Sequence, residues 1–322
     1  MHLTEFYNFV RCFFAQIAAA AYNIMSALGR SQYYFRRILM ATFYNQAVLS
    51  YNGNTTTSNI TTGEIVQVLS ATKTAVTEDY SAGDTITYVV NIINSGAVAF
   101  TGITLTDNLG AYAFDALTLT PLTYTEGSIR YFENGVLRPA PTVTSTDPLT
   151  VTGIGVPAGG NTTIVYEVST NGFAPLEAGS AITNQATVSG TNISPITAEE
   201  TVTSASEPDL SISKSLSPAT VTENGRLTYT FVIQNTGSAP AVATDNLVVT
   251  DVFNPVLSGI TATAGGETWV EGTNYTYDEA TGLFATIAGQ ITVPAATYTR
   301  DPLTGAVIVN PGVTVLTVTG TI

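Results

Sequence analysis

The 322-residue sequence predicts an all-β protein: two tandem immunoglobulin-like β-sandwich domains, the second lacking its closing strand, with a donor-like strand ahead of both. Three observations predict it. Thr, Val, Ile, Ala, Gly, Asn and Tyr dominate the composition, which suits pleated strands joined by tight turns. Nothing after Met40 has helical periodicity, whereas runs such as residues 85–93 alternate as half-buried strands do. A segment of the first half also recurs in the second, so the architecture repeats.

Residues 1–39 are aromatic, Arg-bearing and Ala-rich, unlike everything that follows. Their apolar run, residues 12–29, is interrupted by Gln16, Asn23 and Ser26 and lacks a convincing small-x-small cleavage site before the mature sequence. Three readings stand: a translation start assigned too early, with Met40 the true first residue; an export leader; or a genuine helix. Residues 40–64 hold the donor-like strand and a linker. Residues 65–206 form the first sandwich and residues 207–322 the incomplete second, with Glu207-Pro208-Asp209 as the junction.

Within the repeats, Gly83-Asp84-Thr85-Ile86-Thr87-Tyr88 aligns with Asn224-Gly225-Arg226-Leu227-Thr228-Tyr229, and Asn94-Ser95-Gly96 with Asn235-Thr236-Gly237. The next strand carries Leu105-Thr106-Asp107 in one copy and Val249-Thr250-Asp251 in the other. Asp278-Glu279-Ala280-Thr281-Gly282 and Asp301-Pro302-Leu303-Thr304-Gly305 read as hairpin turns. The first copy ends with a strand containing Thr183-Asn184-Gln185-Ala186-Thr187-Val188. The second stops at Thr317-Val318-Thr319-Gly320, which corresponds to Tyr166-Glu167-Val168-Ser169, so its closing strand is missing. An orphan copy of that strand, Tyr44-Asn45-Gln46-Ala47-Val48-Leu49, lies near the N-terminus. Asn184 precedes Lys214 by 30 residues and Asn45 precedes Lys73 by 28, so Asn45 stands to the first domain as Asn184 stands to the second.

A sandwich without its last strand exposes an edge and an apolar groove that an extended segment can fill. Donor and acceptor lie at opposite ends of the chain, so the contact is heterologous and generates rings or filaments. The expected partner is the chain itself, as a head-to-tail homopolymer. The same strand also fits a local role on its own chain.

Composition narrows the function classes. Charged residues are 11% of the chain, against roughly 25% in ordinary soluble domains. A net charge of −14 offers no basic patch to nucleic acid or anionic membranes, and no membrane segment is expected after Met40. The single Cys12 excludes an internal disulfide framework. With His2 as the only histidine, no Ser-His-Asp set is available after Met40, and enzymatic turnover is not expected. No D-x-D-x-D-G loop marks a metal site, and no cofactor is expected. Trp269, Tyr275 and Tyr277 fit core packing better than a sugar platform.

The lysines are the sharpest signal. There are two, Lys73 and Lys214, at the same point of each repeat, in Leu69-Ser70-Ala71-Thr72-Lys73-Thr74 and Leu210-Ser211-Ile212-Ser213-Lys214-Ser215. A chain that never uses lysine as a surface charge, yet places one in each repeat, is using the amine for something else.

Taken in order, these motifs resemble the bacterial conserved-repeat domain (domain of unknown function eleven) found in tandem in large surface proteins. The likeness covers roughly residues 66–322 and extends to proteins attributed to spore appendages of anaerobic spore-formers. It implies a structural protein of the bacterial cell or spore surface. A Lys on the first strand, an acid mid-domain and an Asn on the last strand are similar to the self-cross-linking modules of pili and adhesins. That chemistry needs a desolvated, unprotonated amine, a carboxamide, and a carboxylic acid to polarise it and move protons as ammonia leaves. The resemblance implies Lys73 as nucleophile, Asp107 as acid and Asn184 as electrophile in the first domain. In the second it implies Lys214 and Asp251, with the carboxamide supplied by Asn45 of the next subunit. A plainer reading fits the same residues: strand-end lysines paired with Asp107 and Asp251, and asparagines capping turns. The competing function class is a monomeric adhesin or carbohydrate-binding stalk with an unknown surface ligand.

Overall fold

The computed structural model describes residues 41–65, 67–191 and 193–322; the readings of residues 1–39 and of Met40 as a start lie outside them. It divides into two units, the chain up to Gln67 and Val68–Ile322.

In the first unit the donor-like segment is a hairpin, not a single strand. Ala41–Asn45 pairs antiparallel with Thr61–Ile65, and Val48–Tyr51 with Asn54–Thr57. The turn between them is Asn52-Gly53, both at positive φ, the dipeptide that most favours a two-residue hairpin loop. Phe43, Tyr44, Val48, Leu49 and Tyr51 are all more than half exposed. The periodicity of residues 54–65 is too polar to have announced a partner strand.

The second unit holds two separate hydrophobic cores, one within residues 69–202 and the other within 227–318. Alternation builds both. In Thr85–Asn94, Ile86, Tyr88, Val90 and Ile92 are all fully buried; in Arg226–Asn235, Leu227, Tyr229, Phe231 and Ile233 play the same part. Complete burial of each such side chain is worth about 1.5–3 kcal/mol.

The first sandwich packs two six-stranded sheets. In one, the Lys73 strand (Leu69–Ala75) is the edge beside Thr85–Asn94, which pairs with Asn161–Thr170. In the other, the Asp107 strand (Phe100–Asp107) is flanked by Leu149–Val156 and by the Asn184 strand (Ala181–Gly190). The Asn184 strand turns back into Ile193–Ser204, and together they make a closing hairpin whose outer strand packs against the Lys73 strand.

The second sandwich repeats the first sheet, with the Lys214 strand (Leu210–Ser217), Arg226–Asn235 and Gly312–Thr321 in the same order. Its register corrects the sequence alignment by one residue: Val318, not Thr317, faces Tyr229 as Tyr166 faces Tyr88. The second sheet has three strands among the described residues, against six in the first sandwich. The Asp251 strand (Thr250–Val252) pairs with Leu283–Thr286 on one side, and no described strand pairs with its other edge. Both anticipated turns are present, joining Tyr275–Asp278 to Leu283–Thr286 and Thr297–Arg300 to Val307–Asn310. The latter hairpin lies against the first sandwich, where Val307 N–H donates to Gly172 O at 2.7 Å. Trp269 and Tyr277 pack on the second core and Tyr275 is buried in it.

Candidate functional site

Strand alternation turns Lys73 into the first core, on the same face as Leu69, Ala71 and Ala75. Its side chain is 0% exposed. An ammonium there is costly unless paired. Nζ lies 2.5 Å from Asp107 Oδ2 and 4.4 Å from the centre of the Tyr88 ring. Burial lowers the Lys73 pKa to about 8, and the Asp107 carboxylate keeps it from falling further.

Asp107 ends its strand with both oxygens occupied. Oδ2 also accepts from the Tyr166 hydroxyl, and Oδ1 accepts from Leu109 N–H at 2.9 Å. Burial, and then the adjacent Asp107 charge, hold the Tyr166 phenol far above its usual range, so it stays a neutral donor.

The ladder brings Asn184 to this pair. Ala186 stands opposite Asp107, and Asn184, two residues earlier on the same face, is fully buried. Asn108 pins the register: its N–H donates to Gln185 O, and its Oδ1 accepts from Gln185 N–H, both at 2.9 Å. Asn184 Oδ1 accepts from Gly110 N–H at 3.2 Å, so a backbone amide, not Asp107, polarises this carboxamide. A side chain at Gly110 would meet Ile182 at 2.5 Å, and its φ is +71°, so the close turn requires glycine.

Asn184 Nδ2 has no hydrogen-bond partner, and neither has the Tyr88 hydroxyl. Burial pushes the Tyr88 phenol up, while the neighbouring Asn184 carboxamide pulls it the other way. The other buried asparagines among the described residues behave differently. Asn94 Nδ2 donates to Val98 O at 2.8 Å and Pro157 O at 3.0 Å; Asn235 Nδ2 donates to Ala239 O at 2.7 Å and Pro294 O at 3.0 Å. Those two cap turns. Leaving a buried amide nitrogen unpaired costs about 1–3 kcal/mol, so Asn184 differs from the two asparagines whose oxygen and nitrogen are both satisfied.

The second sandwich assembles only part of this. Lys214 Nζ donates to Asp251 Oδ2, and lies 4.2 Å from the centre of the Tyr229 ring, which stacks on Phe253 at 4.8 Å. The Lys214 and Asp251 side chains are 39% and 18% exposed, and every residue of the Lys214 strand is exposed. No asparagine of this sandwich sits where Asn184 sits in the first. Asn45 lies on the N-terminal hairpin, exposed, opposite Thr61.

No family model and no curated protein matches this chain, so the conserved-repeat likeness rests on its motifs alone. Solved structures do match. The pilus backbone RrgB from Streptococcus pneumoniae is 12% identical over 76% of this chain and 55% of its own, with a TM-score of 0.32. BcpA, the major pilin subunit of Bacillus cereus, is 12% identical over 84% of this chain and 73% of its own, with a TM-score of 0.31. A 35 kDa C-terminal fragment of the major pilin GBS80 of Streptococcus agalactiae is 14% identical over 76% and 91%, with a TM-score of 0.32. This chain thus spans about half of the first of these. At such distances function has to be argued from the site.

Several contributors escaped the sequence reading. Tyr88 and Tyr229 recur at the same repeat position and read as strand signal, although each ring lies against the lysine of its own sandwich. Tyr166 and the Gly110 amide carry no repeat signal. Glu200, opposite Asn184, adds its negative charge to the field at Lys73.

Proposed function

We propose that the chain is a structural subunit of a filament on the bacterial cell or spore surface. Subunits join head to tail by strand donation, with a Lys73–Asn184 amide inside the first sandwich and a Lys214–Asn45 amide between subunits. One observation carries this reading: the second sandwich keeps the Lys–Asp pair but leaves it open, beside a sheet edge that the Asn184 strand occupies in the first.

The chemistry balances within the site. The Lys73 ammonium passes a proton to the Asp107 carboxylate, a transfer that desolvation of the amine makes less costly. The free amine attacks Asn184 Cγ, whose oxygen is polarised by Gly110 N–H. The Asp107 proton moves to Nδ2, the carboxylate so formed takes the extra proton of the new amide nitrogen, the C–N bond to Nδ2 breaks and ammonia leaves, so that Asp107 ends protonated. A neutral amide replaces a buried cation. Each site reacts once, so the protein is not a turnover enzyme.

Boiling the purified protein in detergent tests the reading. A ladder of multimers that disappears in Lys214→Ala and in Asn45→Ala is expected. Monomer alone, at concentrations where the native protein associates, overturns the intermolecular amide.

A further inference from the structure

Resting on that reading, we infer that the donated element is the whole hairpin of residues 41–65, that it seats in a single register, and that its seating activates Lys214. The two hairpins of this chain are the same object. Asn184 faces Glu200 and Asn45 faces Thr61, the same separation along the chain. Each hairpin then shifts register by one residue on the way to its turn. Each closes with a matching pair, Gly190 opposite Ile193 and Tyr51 opposite Asn54, at the same distance beyond the asparagine. Alternation places Phe43, Asn45, Ala47 and Leu49 on one face, as it does Ile182, Asn184, Ala186 and Val188. In the first sandwich that face is buried; in the free hairpin Phe43 and Leu49 are exposed.

The groove shows the complementary deficit. Leu69 is buried beneath the closing hairpin, while its counterpart Leu210 is 39% exposed, beside exposed Ile212 and Leu216. Val248 and Val252 are exposed along the Asp251 edge. A second copy's hairpin supplies both missing strands. One extends the sheet at the Asp251 edge, and the other covers the Lys214 strand as Ile193–Ser204 covers the Lys73 strand.

The first sandwich also fixes the register. Asp107, Thr106 and Leu105 face Ala186, Thr187 and Val188. Asp251, Thr250 and Val249 therefore face Ala47, Val48 and Leu49 of the incoming hairpin, and Asn45 arrives beside Lys214. Seating strips water from Lys214, as burial does at Lys73, and brings the carboxamide in the same movement. The amide forms only after docking, so a mispaired strand is not locked in.

The test uses the full chain on a Cys12→Ser, Lys214→Ala background, in which no amide forms and docking stays reversible. Val48→Cys protein is mixed with Thr250→Cys protein under mild oxidation. A disulfide-linked dimer is expected, at least ten-fold above either variant alone and above the one-residue-shifted Leu49→Cys and Thr250→Cys mixture. No dimer, or equal dimer from the shifted pair, overturns the register. Placing both cysteines in one chain and recovering only closed monomer overturns the second copy as occupant. In the otherwise native chain, Phe43→Asp with Leu49→Asp should reduce the boiling-resistant ladder at least ten-fold while circular dichroism stays unchanged. An undiminished ladder overturns docking as the activating step. If the disulfide forms but the native chain gives no ladder, the amide reading fails and the docking stands; a ladder without the disulfide is the reverse.

Discussion

Tyr166 and Val318 occupy the same ladder position in the two sandwiches, one opposite Tyr88 and the other opposite Tyr229. Two residues beyond each acid the sizes are reversed, Leu109 in the first and Phe253 in the second. The exchange conserves core volume but not chemistry. Asp107 accepts from Lys73, Tyr166 and Leu109 N–H, whereas Phe253 N–H donates to Gly282 O at 2.9 Å and leaves Asp251 with Lys214. The acid of the first sandwich is therefore buried with three donors, and that of the second is partly open with its lysine alone.

That difference makes the Tyr166 hydroxyl measurable. In an Asn184→Ala background, where no amide forms, Tyr166→Phe should cost about 1–3 kcal/mol, because a buried carboxylate loses a donor. Urea unfolding of the two variants checks it. The loss should fall in the transition of the first sandwich alone.

The internal amide predicts a mass. Intact protein should weigh less than its sequence by one ammonia for the Lys73–Asn184 bond, and Lys73→Ala or Asn184→Ala should restore it. Asp107→Asn should also restore it, although both reacting side chains remain, because the proton carrier is gone. Closing a loop of about a hundred residues stabilises by about 4–5 kcal/mol in the chain-entropy account, so Asn184→Ala should lower the Tm accordingly.

Much of the fold and of the two Lys–Asp pairs is legible in the sequence, for specific reasons. Lys73, Asp107, Lys214 and Asp251 were visible because lysine is otherwise absent and the flanking strands repeat. Asn184 and Asn45 were visible because the Asn-Gln-Ala run recurs. The second strand of each hairpin was not, since 54–65 and 193–204 are rich in Thr, Asn and Glu and alternate weakly. Nor was the role of Gly110, because a polarising backbone N–H has no residue signature; it follows from a turn at positive φ. The sequence presents Asp107 as an acid donating to the carboxamide, whereas in the structure its oxygens accept from three donors.

The lowered Lys73 pKa gives a pH dependence to the unlinked fold. In Asn184→Ala, folded Lys73 releases its proton near pH 8, while the unfolded lysine holds its proton to about 10.4. Between those values the unfolded state binds more protons, so stability rises with pH across that window, by about 3 kcal/mol at most. Comparing Asn184→Ala with Asn184→Ala, Lys73→Met from pH 7 to about 9.5 isolates the effect: the first should gain Tm relative to the second. Parallel profiles would mean that Lys73 is not desolvated.

The open groove predicts a weak sandwich. As a monomer, the second sandwich should melt before the first, because Leu210, Ile212 and Val252 add exposed apolar surface where the first is closed. Association should raise that lower transition with protein concentration, in Lys214→Ala as in the native chain, because reversible docking is stabilising by mass action. Scanning calorimetry over a range of concentrations reads it.

The central claim is an amide between two molecules, and a peptide shared by both tests it most directly. Isotopically heavy and light proteins are mixed as monomers, allowed to assemble, boiled, digested and analysed by tandem mass spectrometry. The predicted result is a branched peptide joining Lys214 of one isotope to Asn45 of the other, lighter than its two halves by one ammonia. Lys214 recovered only as the free amine, or joined to Asn45 only within a single isotope, would contradict it.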